Sequence, residues 1–176
     1  MTVLYKSYSY AYLLMAVHRS KNDLKQAKLL PFVECLNIIL YSALAFEAFM
    51  NHVGAKVFPH WAPLKRKLSP LEKLEVVAAA RGLEVDWGSR PYQSLAVAIA
   101  FRNDVAHAES TEIDIPLVSG EVKNKKGHWQ SFCNRETALR ISEDVESLIA
   151  SLPNDLSVSM PKLSTLAEPI ERDTST

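Results

Sequence analysis

The chain has little of what builds covalent or metal-bound scaffolds. Its 176 residues include two cysteines, Cys35 and Cys133, and neither stands in a CxxC or Cys/His spacing. A disulfide framework and a zinc site are both excluded, and reduced, buried thiols in a cytoplasmic protein are expected. Glycine is scarce too, at five residues, and no glycine-rich stretch forms a phosphate-cradling loop. No charge of one sign is in excess, because 20 Lys and Arg balance 20 Asp and Glu. A uniformly basic coat for nucleic acid is thereby excluded, although a local basic groove is not. His18, His52, His60 and His128 match no helical metal pair, so no metal and no other cofactor is expected. No Gly-x-Ser-x-Gly turn marks an acyl-transfer nucleophile. The start, MTVLYKSYSYAYLLMAV, is too polar for a signal peptide. The most apolar run, residues 33–50, contains Glu34, Asn37 and Glu47, which predicts a buried helix rather than a membrane span.

What is present reads as one globular domain. Hydrophobic residues make up 48% of the chain and charged residues 23%, enough apolar surface for a real core. The domain is expected over residues 1–152, followed by a flexible Pro, Ser and Thr-rich tail over 153–176. Tyr5, Tyr8, Tyr12 and Met15 recur at helical spacing and predict a helix from Leu4 to Val17. RSKND, residues 19–23, reads as a break or a polar shoulder, with a short second helix from Asp23 to Leu30 if it is a break. Pro31 suits the first turn of a long helix to about His52. A loop holding Gly54, Pro59 and Pro63 follows. Ser69, Pro70 and Glu72 then start a helix that Gly82 ends. Ser89 and Pro91 open the next helix, from Tyr92 to about His107. Residues 111–132 alternate loosely, with turn signals at Ser119-Gly120 and Lys126-Gly127, and read as a hairpin-like insertion. The last helix is expected from Thr137 to Leu152. The fold class is all-α: a compact bundle of four to five helices with a short hairpin-like insertion before the last.

Two charges interrupt apolar stripes. Leu36, Leu40, Ala43, Glu47 and Met50 share one face of the long helix. Leu95, Ile99, Arg102 and Ala106 share one face of the Tyr92 helix. A lone buried charge is expensive, so the simplest solution is that Glu47 and Arg102 meet between the two helices. An arginine fixed by a glutamate has its guanidinium aimed, with donors left for a phosphate. Asn103 and His107 are four apart, and Asp104 is three before His107, so either side chain is placed to orient the imidazole. An orientable histidine beside a cationic phosphate ligand suits RNA cleavage by 2′-hydroxyl attack without a metal. The same residue types also cap and solvate helix ends, which is the competing explanation.

Arg102-Asn103-x-x-x-His107 resembles the signature of the HEPN superfamily: arginine, a polar residue, three others and a histidine near the end of a late helix. SALAFEAFMNHV, residues 42–53, resembles the family's long second helix. LSPLEKLEVV, residues 68–77, is similar to the lysine-bearing helix that follows it in many members. The resemblance covers residues 31–107. It implies a helical homodimer whose two motifs face each other, and for many members a metal-independent endoribonuclease acting as a toxin, in antiviral defence or in RNA processing. By this resemblance Arg102 contacts the scissile phosphate, His107 acts as general acid or base, and Asn103 supports the site. Glu47 matches the acidic neighbour of the motif. Many toxin members carry a tyrosine two residues after the histidine, the target of antitoxin nucleotidylation, whereas this chain has Glu109.

Two basic runs remain, KRK at 65–67 and KNKKGHW at 123–129. The second, with Lys123, Lys125, Lys126 and Trp129, is the better candidate for an RNA backbone beside a stacking surface. The expected partners are RNA, a second copy of the chain, and a cognate antitoxin or regulatory protein, with no membrane. The alternative is a non-catalytic HEPN-like homodimeric scaffold that binds a partner protein or a nucleotide.

Overall fold

The most apolar segment of the sequence becomes the axis of the fold. The computed structural model describes residues 4–27, 31–110, 117–118, 121–122 and 128–170. Among them are helices α1 (Ser9–Gln26), α2 (Phe32–Val57), α3 (Trp61–Leu64), α4 (Pro70–Ala79), α5 (Tyr92–Ala106) and α6 (Arg135–Asp155). Four short strands accompany them: β1 (Leu4–Ser7), β2 (Leu117–Val118), β3 (Glu121–Val122) and β4 (Ala167–Ile170). The architecture is all-α, with five helices of more than two turns and α3 as a single turn.

Helix α2 is 26 residues long, which is about 39 Å at the helical rise. By length and composition it is apolar enough to cross a membrane. Here α1, α4, α5 and α6 pack around it. Cys35, Ile38, Ala43, Phe46, Phe49 and Val53 are among its buried residues. A helix apolar on every side belongs at such a centre. Near its end, Gly54 admits the indole of Trp61 from α3, since a Cβ there would fall 2.2 Å from Trp61 Cε2.

The start of α4 follows its sequence signal closely. Ser69 Oγ accepts a hydrogen bond from the Glu72 amide at 3.3 Å, and Glu72 Oε2 accepts from the Ser69 amide at 2.7 Å. This reciprocal cap, with Pro70 next to it, fixes the first turn. Gly82 lies just beyond the helix at φ 69°, a left-handed conformation that favours glycine.

Three elements differ from the sequence reading. The expected break at residues 19–23 is absent, and α1 runs unbroken to Gln26. Its buried residues Tyr10, Leu14, Val17 and Leu24 continue one stripe through that polar stretch, which contains no Gly or Pro. Ahead of α1, residues 4–7 form a strand instead of a first helical turn. Of the tail expected over 153–176, residues 171–176 lie outside the described residues, and the part up to 170 is ordered against the bundle instead of loose. Helix α6 continues through Pro153, and Leu156 and Val158 are buried. Strand β4 then pairs antiparallel with β1, Leu4 opposite Ile170 and Ser7 opposite Ala167. The Tyr8 hydroxyl donates to Glu168, and its ring meets His52 edge-on at 5.3 Å. Burial, then the bond to Glu168, push the Tyr8 phenol up to about 12. Within the insertion, β2 and β3 pair antiparallel as a hairpin.

Candidate active site at the end of the fifth helix

Helix α5 buries Leu95, Ala98, Ile99 and Phe101, and it packs against α2 and α6. Arg102 continues from this apolar face. Its Nη2 donates to Glu47 Oε2 on α2. The opposing charges expected from the two stripes therefore meet. Lys73, on α4, joins them: its Nζ donates to Glu47 Oε1 at 2.9 Å. One carboxylate is thus shared by two cations, one oxygen to each. Side-chain exposure is 1% for Lys73, 27% for Glu47 and 22% for Arg102. The guanidinium's other terminal nitrogen, Nη1, donates to Asn103 Oδ1 at 2.9 Å. Arg102 Nε is buried and has no hydrogen-bond partner among the described residues.

Asn103 and Asp104 do not take the roles expected of them toward His107. Asn103 braces the arginine, and Asp104 Oδ2 lies 3.7 Å from His128 Nδ1. His107 is the residue that closes α5, at φ −112° and ψ 16°, with its amide bonded to the Asn103 carbonyl. The imidazole is exposed and has no hydrogen-bond or ion-pair partner among the described residues.

Lys123, Lys125 and Lys126 lie outside the described residues. Trp129 opens a short 3₁₀ helix, Trp129–Phe132, that returns from the insertion to α5. Its ring lies 6.2 Å from Phe101, edge to face, and 6.1 Å from Phe32. It is half-buried in this aromatic group beside the motif rather than standing as an open stacking platform.

Lys73 is the functional candidate that sequence reasoning missed. Its signal was available: Lys73 is four residues before Val77 and adjoins Leu74, both buried, on the apolar side of α4.

A second ionic pair lies elsewhere. Arg90 binds Asp144 through Nε at 2.7 Å and Nη2 at 2.8 Å. Burial works to raise the Asp144 carboxyl, but the bonds from Arg90 and Ser94 and the Arg90 charge outweigh it and hold it below its ordinary value. A cavity of about 700 Å³ opens between α1, α6 and residues 163–166, lined by Leu14, Met15, His18 and Leu163 among others. It includes no member of the Arg102 group. Among the described residues, no three His, Cys, Asp or Glu side chains are grouped to hold a metal ion. Compared with protein-family models, with curated proteins and with solved structures, the chain matches none.

Proposed function

We propose that the chain is a metal-independent endoribonuclease of HEPN-like type, working as a homodimer. The observation that carries this reading is the anchored arginine. Glu47 and Asn103 hold the Arg102 guanidinium at the end of α5, five residues before an exposed, unengaged histidine. In the proposed reaction the 2′-hydroxyl of RNA attacks the adjacent phosphorus. The bond from phosphorus to the 5′-oxygen breaks, leaving a cyclic phosphate and a 5′-hydroxyl. One imidazole removes the 2′ proton and another protonates the leaving oxygen, which is the work of His107 from two copies. Arg102 stabilises the charge that builds on the phosphorane oxygens.

Purified protein incubated with total RNA in excess chelator tests this. Wild type is expected to cleave and to leave cyclic phosphate ends. His107→Ala and Arg102→Ala are each expected to lose about 100-fold or more of the rate. Cleavage by wild type and His107→Ala at the same rate, or by neither, would overturn the catalytic reading.

A second reading is a non-catalytic HEPN-like homodimer that captures a partner protein or a nucleotide. That the His107 ring has no orienting partner among the described residues favours it. On that reading both substitutions weaken dimerisation or partner capture, and no RNA turns over.

A further inference from the structure

Lys73 has no part in the chemistry proposed above. A lysine ammonium is a strongly hydrated point charge and is rarely buried, yet this side chain is 1% exposed. Among the described residues its one hydrogen bond goes to Glu47 Oε1. Stability alone does not account for it. Glu47 is already answered by Arg102, and an apolar side chain of similar length would fill the space without desolvating a cation. What Lys73 alters is the sum of charge. Glu47 with Arg102 alone is neutral and attracts a phosphodiester weakly. With Lys73 the group carries one net positive charge, and its buried member is Lys73, so the surplus is presented at the more exposed Arg102.

We infer that Lys73 is a positioning residue for phosphodiester capture by Arg102: it holds Glu47 through Oε1 so that Oε2 faces the guanidinium, and it cancels the carboxylate's charge. Arg102 then meets the RNA backbone as a full cation. The inference rests on the reading of this helix end as a phosphate-binding site.

The test is binding of a labelled, uncleavable 2′-O-methyl RNA oligonucleotide, followed by fluorescence anisotropy at low and moderate salt. Wild type is compared with Arg102→Ala, Lys73→Met and the double variant Glu47→Gln with Lys73→Met. Melting curves accompany each. Arg102→Ala is expected to remove most of the binding. Lys73→Met is expected to weaken it about tenfold at low salt, with a smaller loss as salt screens the missing charge. The double variant keeps an amide oxygen for Arg102, restores the net charge, and leaves no buried charge unpaired. It is expected to bind within about twofold of wild type.

Lys73→Met binding as wild type does, while Arg102→Ala is defective, would overturn the role of Lys73 and leave the site reading intact. A double variant as weak as Lys73→Met overturns the charge account in the same way. Wild type and Arg102→Ala binding alike, or not at all, removes the site reading and this inference with it. Should Lys73→Met fail to fold, the double variant decides alone, and tenfold weaker binding than wild type overturns the proposal.

Discussion

Arg90 and Arg102 both face carboxylates, and they do so in opposite ways. Arg90 gives two parallel bonds to Asp144, one to each oxygen. That pairing is closed: one planar partner takes both oxygens of the acid, and Ser94 adds a further bond. Glu47 divides its oxygens between Lys73 and Arg102. Arg102 spends one terminal nitrogen on Glu47 and the other on Asn103, and neither partner claims the whole fork. The closed pair ties the start of α5 to α6, while the divided one leaves a cation with donors to spare. Which arginine keeps donors for a further partner depends less on the residue type than on how its carboxylate is shared.

The largest effect that tests this difference is on stability. Glu47→Leu leaves Lys73 as an uncompensated buried charge and is expected to cost about 3–5 kcal/mol in urea unfolding. Asp144→Leu leaves Arg90, whose side chain is 54% exposed and which water can solvate, so a small fraction of that loss is expected. Equal losses would erase the distinction between the two pairs.

His52 sharpens the comparison from the other side, as a half-buried group kept neutral instead of paired. Burial first, then Lys6 and Lys56, lower its pKa from 6.5 to about 4. Between those values the unfolded chain takes up a proton that the folded ring refuses. The stability due to the neutral ring is complete above 6.5 and falls as pH drops toward 4. Acidification across that window is expected to cost on the order of 2 kcal/mol, allowing for partial hydration of the ring, and His52→Gln should flatten the slope. Stability curves measured every half pH unit would show it, and parallel curves for the two proteins would refute it.

The smallest effect concerns the turn that carries Lys73. Ser69→Ala removes one half of the cap on α4 and is expected to cost about 1 kcal/mol. If placement of Lys73 matters for the site, RNA affinity falls with it. Unchanged affinity at reduced stability would show that the first turn tolerates fraying.

The meeting of Glu47 and Arg102 was legible because each broke a helical stripe, and a charge inside such a stripe demands a partner. The helix starts at Pro31 and Ser69 were legible through proline geometry and capping chemistry. Lys73 obeys the rule that exposed Glu47, beside Leu74 and four residues before Val77 on the apolar side of α4. The bond of Asn103 to Arg102 and the approach of Asp104 to His128 were not legible, because spacing shows which side chains can meet and not which partner each takes. The pairing of LYKS with AEPI left no local trace either, since four-residue strands joined across nearly the whole chain have no periodicity to read.

That pairing bears on how the fold assembles and opens. The bond between Tyr8 and Glu168 spans 160 positions, so the loop it closes carries a high entropic cost and gains nothing until the helices have brought its ends together. Every residue of β1 and β4 is exposed, so the two strands can separate without unpacking the core. In hydrogen exchange their amides should behave as one unit, protected far less than those of α2. The ribbon is thus a clasp that closes last and opens first, and its opening reports on the ends of the domain while the centre stays intact.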